Sequence, residues 1–440
     1  MRPTFGWRDL SRFERIGVWG LGVEGEANQG RLAQLGVEPL LVDDRPRDAG
    51  VVATSEGGLE RLRSCDLVIK TPGISRYRDD VIELEARGIP VVGGLGLWLN
   101  DVDVSKVICV TGTKGKSTTV SIAGHLARGL GVNCFVGGNI GVPPYDPAVP
   151  TDFDLWVIET SSYQATDLGV TPPVVGVTSL NPDHLDWHRS VDAYYRDKLS
   201  LTSQPGARLT VCGDDELLRA RRSLLGPEVR WVTAAEGESW AGALGLVGRH
   251  NTMNAAVAAA VLEAAGVPGA DDPRLLATAG SEFPPLDSRL RLAATVAGVE
   301  FYDDSLSTNV LPTIAAVDSF PGRPVAVLVG GFDRGIDYAP LAEHLAARAA
   351  PTLALTLPDC GDRIAEAIRA TTSSEVEVIG CEDVEDAVCR GFGWMESWPA
   401  PGVVLLSPAA PSFGRFGDYR ERARAFTDAI DRLPRDDART

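Results

Sequence analysis

The stretch Val107-Ile-Cys-Val-Thr-Gly-Thr-Lys-Gly-Lys-Ser-Thr-Thr119, continued by Val120-Ser-Ile-Ala-Gly-His-Leu-Ala127, admits few folds. Its β-branched opening predicts a strand, its glycines a tight loop, and its Ala- and Leu-bearing end a helix. In such a unit the N–H groups of the loop and of the helix N-terminus converge on one point, where an anion binds. The pattern G-x-x-x-x-G-K-[ST] asks for Gly at position 110, where this chain has Val, but Gly115-Lys116-Ser117 is intact. A plain Gly-rich turn is the alternative reading.

The loop also concentrates a scarce residue. Of 42 basic side chains only five are lysines, at 70, 106, 114, 116 and 198. A compact ammonium fits among phosphates where a planar guanidinium needs more room. Lys116 is therefore expected on the β/γ-phosphates of a nucleotide and Ser117 on Mg²⁺.

The net charge of −18 argues against nucleic-acid binding, which leaves a basic footprint. The seven cysteines are scattered without a C-x-x-C, as suits a reducing cytosol and no zinc site. With no apolar leader segment and no apolar run of about 18 residues, neither secretion nor a membrane span is expected.

Short Val/Ile/Leu runs alternate with Ala/Leu/Arg-rich stretches along the whole chain, the α/β pattern. Strands are expected at 15–19, 37–42, 66–69 and 89–92 in a first unit, and at 107–110, 155–158 and 174–178 in a second. A third unit is expected to hold strands at 325–329, 352–356 and 402–406. The stretch 203–245 reads as irregular, and the last six residues as low-complexity. A polar break near residue 99 and the proline pair in Glu282-Phe-Pro-Pro-Leu-Asp287 suggest domains 1–99, 100–285 and 286–440.

Gly20-Leu-Gly-Val-Glu-Gly25 follows the first expected strand, with Asp43 about 20 residues on, as in the dinucleotide fingerprint. By itself the motif suits an NAD domain, a UDP-sugar site or a ligand-free turn. Thr71-Pro-Gly-Ile74 follows another strand on the same sheet edge. Glu159-Thr-Ser-Ser-Tyr-Gln164 ends a strand beside the phosphate loop, where a carboxylate can bind Mg²⁺, although its Thr and Ser also suit a helix cap. Asn181-Pro-Asp-His-Leu-Asp-Trp-His188 offers His and Asp, and ten residues later comes Lys198. A neutral lysine can add CO₂ to become a carbamate, an oxygen ligand that an arginine cannot provide. In the third unit Asp303-Asp-Ser-Leu-Ser-Thr-Asn309, Gly330-Gly-Phe-Asp-Arg-Gly-Ile-Asp337 and Ser407-Pro-Ala-Ala-Pro-Ser-Phe413 should line one rim of a sheet.

Taken in order, these motifs resemble the Mur ligase family across nearly the whole chain. Thr111–Thr118 is similar to its ATP loop, Gly137-Gly-Asn-Ile-Gly141 to a substrate loop, and Glu159–Gln164 to E-x-S-S-[FY]-Q. Asp183-His-Leu-Asp186 resembles D-H-[LM]-D, and Gly248-Arg-His-Asn-Thr-Met-Asn254 resembles G-x-H-N-x-x-N. The resemblance implies three α/β domains: a Rossmann-like UDP-binding domain, a P-loop ATPase domain and a Rossmann-like amino-acid-binding domain. It implies an ATP-dependent amide ligase, most similar to those adding glutamate to UDP-N-acetylmuramoyl-L-alanine, acting as a cytoplasmic monomer in peptidoglycan synthesis. ATP would lie on Gly112, Thr113, Lys114, Gly115, Lys116, Ser117, Thr118, Asn251, Asn254, Arg289 and Asp304. Two Mg²⁺ ions would be held by Ser117, Glu159, His184 and Lys198 as carbamate. Catalysis is implied for Lys116, Glu159, His184, Lys198 and Arg289. The UDP-bearing substrate would meet Gly22, Val23, Glu24, Asp43, Arg45, Thr71, Pro72, Gly73, Asn139, Ser161 and Gln164. The amino acid would meet Thr308, Arg334, Ser412 and Tyr419.

The departures from the family pattern fall in the third unit. Leu306 and Gly417 stand where lysines are common, Gly414 where an acid is, and Arg334 where a lysine is. This resembles the branch that adds L-glutamate and leaves a separate epimerase to invert the centre, with D-glutamate addition as the alternative. A folate-type polyglutamate ligase is a further alternative, against which the N-terminal G-x-G-x-x-G unit argues. An NAD oxidoreductase would leave the ATP loop idle, and a non-catalytic nucleotide sensor would not need Lys116, Glu159, His184 and Lys198.

Overall fold

The computed structural model describes residues 4–48, 50–371 and 376–434. The C-terminal stretch read as low-complexity lies outside them. Three sheets carry the chain. The first holds β1 (Ile16–Trp19), β2 (Leu40–Asp43), β3 (Val52–Ala53), β4 (Leu67–Lys70) and β5 (Val91–Gly93) in the order β3-β2-β1-β4-β5, all parallel. The second holds β6 (Val107–Thr111), β7 (Cys134–Gly138), β8 (Leu155–Glu159), β9 (Val174–Val177), β10 (Leu209–Gly213) and β11 (Glu228–Val232) in the order β11-β10-β9-β6-β8-β7, again all parallel.

Central parallel strands are covered on both faces, so they read as unbroken apolar runs. β1, β4, β6 and β8 are buried along their full length, and all four were legible in the sequence. The stretch 203–245 is not irregular, however: it contains β10, β11 and the helix Glu216–Ala220. β11 is an edge strand with polar residues on a partly exposed surface, and its Glu-Val-Arg-Trp-Val carries only a weak apolar signal.

The third sheet joins β12 (Arg291–Val296), β13 (Val299–Asp303), β14 (Val325–Gly331), β15 (Thr352–Asp359), β16 (Glu377–Gly380) and β17 (Val403–Leu406) in the order β12-β13-β17-β14-β15-β16. Only the β12–β13 pair is antiparallel.

Two compact units result. One comprises residues 1–244 and 251–283, with the first two sheets; the other comprises 245–250 and 284–440, with the third. Within the larger unit one apolar core is continuous between the two sheets, from Ile16, Val18 and Leu67 to Val107, Cys109 and Trp156. Trp98, on the wholly buried helix Gly94–Leu99, meets Trp156 edge-on at 5.2 Å. Lys70 joins the same two sheets: its Nζ lies 2.6 Å from Asp167 Oδ2, and Arg76 holds the other Asp167 oxygen at 2.8 Å. Among the described residues no helix is long and apolar enough to cross a membrane.

Candidate active site

In an open α/β sheet ligands gather at the carboxyl ends of the strands. In the second sheet β9, β6 and β8 are neighbours and parallel, so Ser179–His184, Gly112–Lys116 and Glu159–Gln164 leave from one rim. Val110 pairs with Glu159, which sets the carboxylate beside the start of the loop. Gly112 (φ 140°) and Gly115 (φ 86°) have backbone that side chains disfavour, and a Cβ would run into Thr178 Oγ1 at the first and Asn254 Oδ1 at the second. Gly115 also caps the helix Lys116–Gly129, whose first turn carries Ser117, Thr118 and Thr119.

Three of the five lysines converge here. Lys116 Nζ donates to the carbonyls of Gly112 (2.9 Å) and Thr113 (3.1 Å), and Lys198 Nζ donates to the same Gly112 carbonyl (2.9 Å). Lys114 Nζ lies 3.3 Å from Asp183 Oδ2. Thr113 Oγ1 bonds Tyr194 OH (2.9 Å) on the helix Val191–Leu199 that carries Lys198. Asn254, on the helix Arg249–Ala264, accepts from Thr119 and donates to Asn251.

Burial, reinforced by the Lys116 ammonium, pushes Lys198 well below the usual lysine range, so its amine is readily neutral. Burial and the positive charge of the neighbouring lysine cluster lower His184 against the pull of Asp183, which favours the neutral imidazole. Burial works against the Asp183 carboxylate, yet Lys114 and His184 hold it below the ordinary range.

Mg²⁺ takes oxygen ligands and keeps some of its water. Among the described residues no group of three or more His, Cys, Asp and Glu could hold a metal. The oxygen donors on this rim include Glu159, at the end of β8, and Ser117, in the first turn of the helix Lys116–Gly129. Glu159 fits: it is 1% exposed, Oε1 accepts from Asn139 Nδ2 at 2.7 Å, and Oε2 is buried with no hydrogen-bond partner. A buried carboxylate oxygen without a donor suits a cation.

In the first sheet the loops after β2, β1 and β4 share a rim as well. Asp43 accepts from the backbone N–H of Leu21 (2.6 Å) and of Arg45 (2.7 Å), so it holds the Gly20–Gly25 loop. Gly20 (φ 91°) lies against Thr71, and Gly22 and Val23 open the helix Val23–Gln34 with exposed backbone. Pro72 accepts from Trp187 Nε1 at 3.2 Å, with Gly73 next in the same turn. Ser161 and Gln164 form a reciprocal cap on the short helix Ser162–Ala165. That leaves Gln164 Nε2 to donate to Glu24 Oε1 (2.8 Å), while Tyr145 OH donates to Glu24 Oε2 (2.8 Å). Neither Glu24 contact was foreseeable from spacing alone.

Burial raises the Glu24 carboxyl from the ordinary 4.5 to about 7, against the two hydrogen bonds. A raised acid pKa means that folding favours the protonated form. Its stabilisation is complete below the unfolded value and is lost as pH climbs through about 7. Glu24→Gln is expected to flatten the stability profile from about pH 5 to about pH 8, measured by urea unfolding. A variant with the wild-type slope would refute the assignment.

The third unit brings its three loops together as expected, since β13, β17 and β14 are adjacent and parallel. The carboxylate of Asp304 is engaged inside the unit, by Leu290 N–H (3.1 Å), Ser307 Oγ and Ser407 Oγ (2.7 Å). Arg289 sits between two left-handed residues, Ser288 (φ 56°) and Leu290 (φ 50°). Ser412 lines a cavity of about 260 Å³ with Gly331, Phe413, Arg415, Phe416 and Arg422. The exposed Arg334 guanidinium stands 5.7 Å from the Phe413 ring centroid. Thr308 is partly buried, and Tyr419 presents its carbonyl to Ser305 Oγ at 3.1 Å. No residue spacing pointed to Arg422: wholly buried, it donates to Ser305 Oγ (3.0 Å), Ser305 O (2.8 Å) and Ala410 O (3.1 Å), tying two site loops together.

Fold and site define an α/β nucleotide-binding protein in which a phosphate loop shares its unit with a second, glycine-rich sheet edge. The Mur ligase middle domain matches residues 110–241. Over 451 residues the chain is 40% identical to the UDP-N-acetylmuramoyl-L-alanine–L-glutamate ligase of a Micromonospora species, covering 95% of this chain and 97% of that protein. It is 38% identical over 452 residues to the ligase of the same name from Salinispora tropica, at 95% and 98% coverage. In fold it is similar to the UDP-N-acetylmuramate-alanine ligase MurC of Thermotoga maritima, with a TM-score of 0.55, 17% identity and coverage of 95% and 99%. The chain belongs to the Mur ligase family.

Proposed function

We propose that the protein joins L-glutamate to UDP-N-acetylmuramoyl-L-alanine, with ATP cleaved to ADP and phosphate, in peptidoglycan precursor synthesis. The observation that carries this reading is the identity of 40% across 95% of the chain to a ligase named for that reaction. The lysine cluster on the phosphate loop supplies the chemistry. ATP transfers its γ-phosphoryl group to the alanyl carboxylate, giving an acyl phosphate. The amine of glutamate adds to that carbonyl, and the tetrahedral intermediate expels phosphate to leave the amide.

Positioning and charge neutralisation are the main protein contributions to phosphoryl transfer. Lys116 and the loop N–H groups meet the β/γ-phosphates, and Arg289 supplies a further positive charge. Glu159, Ser117, His184 and Lys198, as a carbamate, would hold Mg²⁺, which when bound would supply positive charge against the phosphates. The first ~99 residues hold the UDP moiety through Gly22–Glu24, Asp43, Arg45 and Thr71–Gly73. Asn139, Ser161 and Gln164 extend this site toward the acyl group, and Asn251 and Asn254 face the nucleotide. Residues 100–285 act as the ATP domain and 286–440 as the amino-acid domain, with Thr308, Arg334, Ser412 and Tyr419 around the glutamate.

The L configuration is supported by the names of the relatives and by the altered third-unit loops at Leu306, Gly414 and Gly417. An epimerase would then act on the product. Purified protein given UDP-N-acetylmuramoyl-L-alanine, ATP and Mg²⁺ is expected to release ADP with L-glutamate. Release with D-glutamate alone would overturn the stereochemical reading, and release with neither would overturn the ligase reading.

A further inference from the structure

A line of side chains beside the lysine cluster has the connectivity of a nucleophilic triad. Ser162 Oγ lies 2.9 Å from His188 Nε2, and His188 Nδ1 lies 2.6 Å from Asp197 Oδ2. Tyr77 OH extends it, donating to both Asp197 oxygens at 2.9 and 3.1 Å. The Asp197 carboxylate accepts, so Nδ1 carries a proton toward it, and Nε2 shares a hydrogen bond with the Ser162 hydroxyl. Ser162 is 2% exposed and His188 is fully buried between Tyr163, Trp187 and Tyr194, so no substrate reaches the hydroxyl. Nucleophilic catalysis is excluded by access, and positioning remains.

Each member is one to four residues from a group that the ligase reading uses. Ser162 follows Glu159 on the turn leaving β8. His188 closes the short helix Leu185–His188 that begins after His184, whose backbone is left-handed (φ 51°, ψ 40°). Asp197 directly precedes Lys198. The imidazole thus joins the turn at Ser162 to two helices, one ending at His188 and one carrying Asp197, and a rigid ring bonded at both nitrogens fixes their mutual register. Tyr77 belongs to the other sheet's loop. Beside it Ser75 Oγ donates to Trp187 O (3.0 Å), Trp187 Nε1 donates to Pro72 O (3.2 Å), and Arg189 donates to Tyr77 O. The segment Thr71–Tyr77 is thereby tied to the segment that carries His184 and Lys198.

We propose that Ser162, His188, Asp197 and Tyr77 are positioning residues that couple the nucleotide-sugar loop Thr71–Gly73 to the phosphate loop through Lys198. This rests on the ligase reading for the identity of the two ligands. The coupling is a free energy shared by two sites, so each ligand must change the affinity of the other by the same factor.

The test measures binding of a non-hydrolysable ATP analogue by calorimetry, with and without saturating UDP-N-acetylmuramoyl-L-alanine, in wild type, Tyr77→Phe and His188→Asn. Tyr77→Phe removes one hydroxyl and leaves the ring packed on Trp187. His188→Asn keeps a donor toward Asp197 and loses the ring nitrogen that bonds Ser162. Wild type is expected to show a coupling factor of about 5 or more. Tyr77→Phe is expected to bring it to about 1, with each separate affinity within about twofold of wild type. Its kcat is expected to fall about tenfold while KM for ATP holds, since the lost bond is to a charged group. A coupling factor unchanged in Tyr77→Phe, or absent from wild type, overturns the proposal, and Tyr77→Phe decides it even if His188→Asn fails to fold. Failure of the ligase reading is distinguishable, because wild type would then form no product.

Discussion

Lys116→Ala is expected to lower kcat by about 10²–10³-fold or more, measured as ADP release at saturating substrates. Lys116 is the first residue of the helix Lys116–Gly129, and its ammonium turns back over the loop onto the Gly112 and Thr113 carbonyls. A cation held there, in a loop whose glycines admit no Cβ, would meet the charge that develops during the proposed phosphoryl transfer. The loss goes beyond one donor. After burial, Lys116 is the largest influence that lowers the Lys198 pKa, so removing it shifts Lys198 toward its protonated form and away from the neutral amine that the proposed carbamate would need. Carbon dioxide dependence of activity should accordingly steepen in this variant. Lys116→Arg should recover little, because the forked guanidinium does not fit where a point charge did. Turnover within about threefold of wild type for Lys116→Ala would remove the loop from the chemistry.

The second large effect concerns stability. Asp167→Asn should destabilise the larger unit by about 3–5 kcal/mol, seen as a fall of roughly 5–9 °C in Tm. Lys70 is fully buried, and burial pulls its pKa down while Asp167 supports the charge. Asp167 also takes Arg76, which in turn holds Glu85 at 2.8 Å. Replacing the carboxylate by an amide of the same shape leaves an ammonium with no anion at 2.6 Å in a dry site. Removing one partner of a buried pair is costly for that reason, even where the intact pair contributes little net stability. The pair joins the first sheet to the second, so the same variant should raise KM for the UDP-bearing substrate more than KM for ATP. A Tm within about 2 °C of wild type would show that the pair is not a structural tie.

The legibility of this chain follows its strand exposure. β1, β4, β6 and β8 are enclosed by helices on both faces and could be read directly, as could the loops that leave them. β11 could not, because an edge strand partly open to water keeps Glu228 and Arg230 in its run. The phosphate loop, Glu159, His184 and Lys198 were visible as residue types following strands. Their separations along the chain said nothing of Lys198 and Lys116 sharing the Gly112 neighbourhood.

Lys70 marks the same boundary. It is one of five lysines in the chain and its residue type alone assigned it no role, yet it is sealed against Asp167, 97 residues away. The Ser162–His188–Asp197–Tyr77 line and the buried Arg422 are of the same kind. The amino-acid sequence by itself determined the alternation of strands and helices, the loops that face ligands, and the family, because those depend on local backbone preference and on residue type at short spacing. The tertiary structure alone decided which carboxylate lies on which cation, which histidine bridges which segments, and which Glu159 oxygen takes the Asn139 amide. Those depend on distances across sheets, where desolvation makes each unpaired charge costly and so selects a single partner.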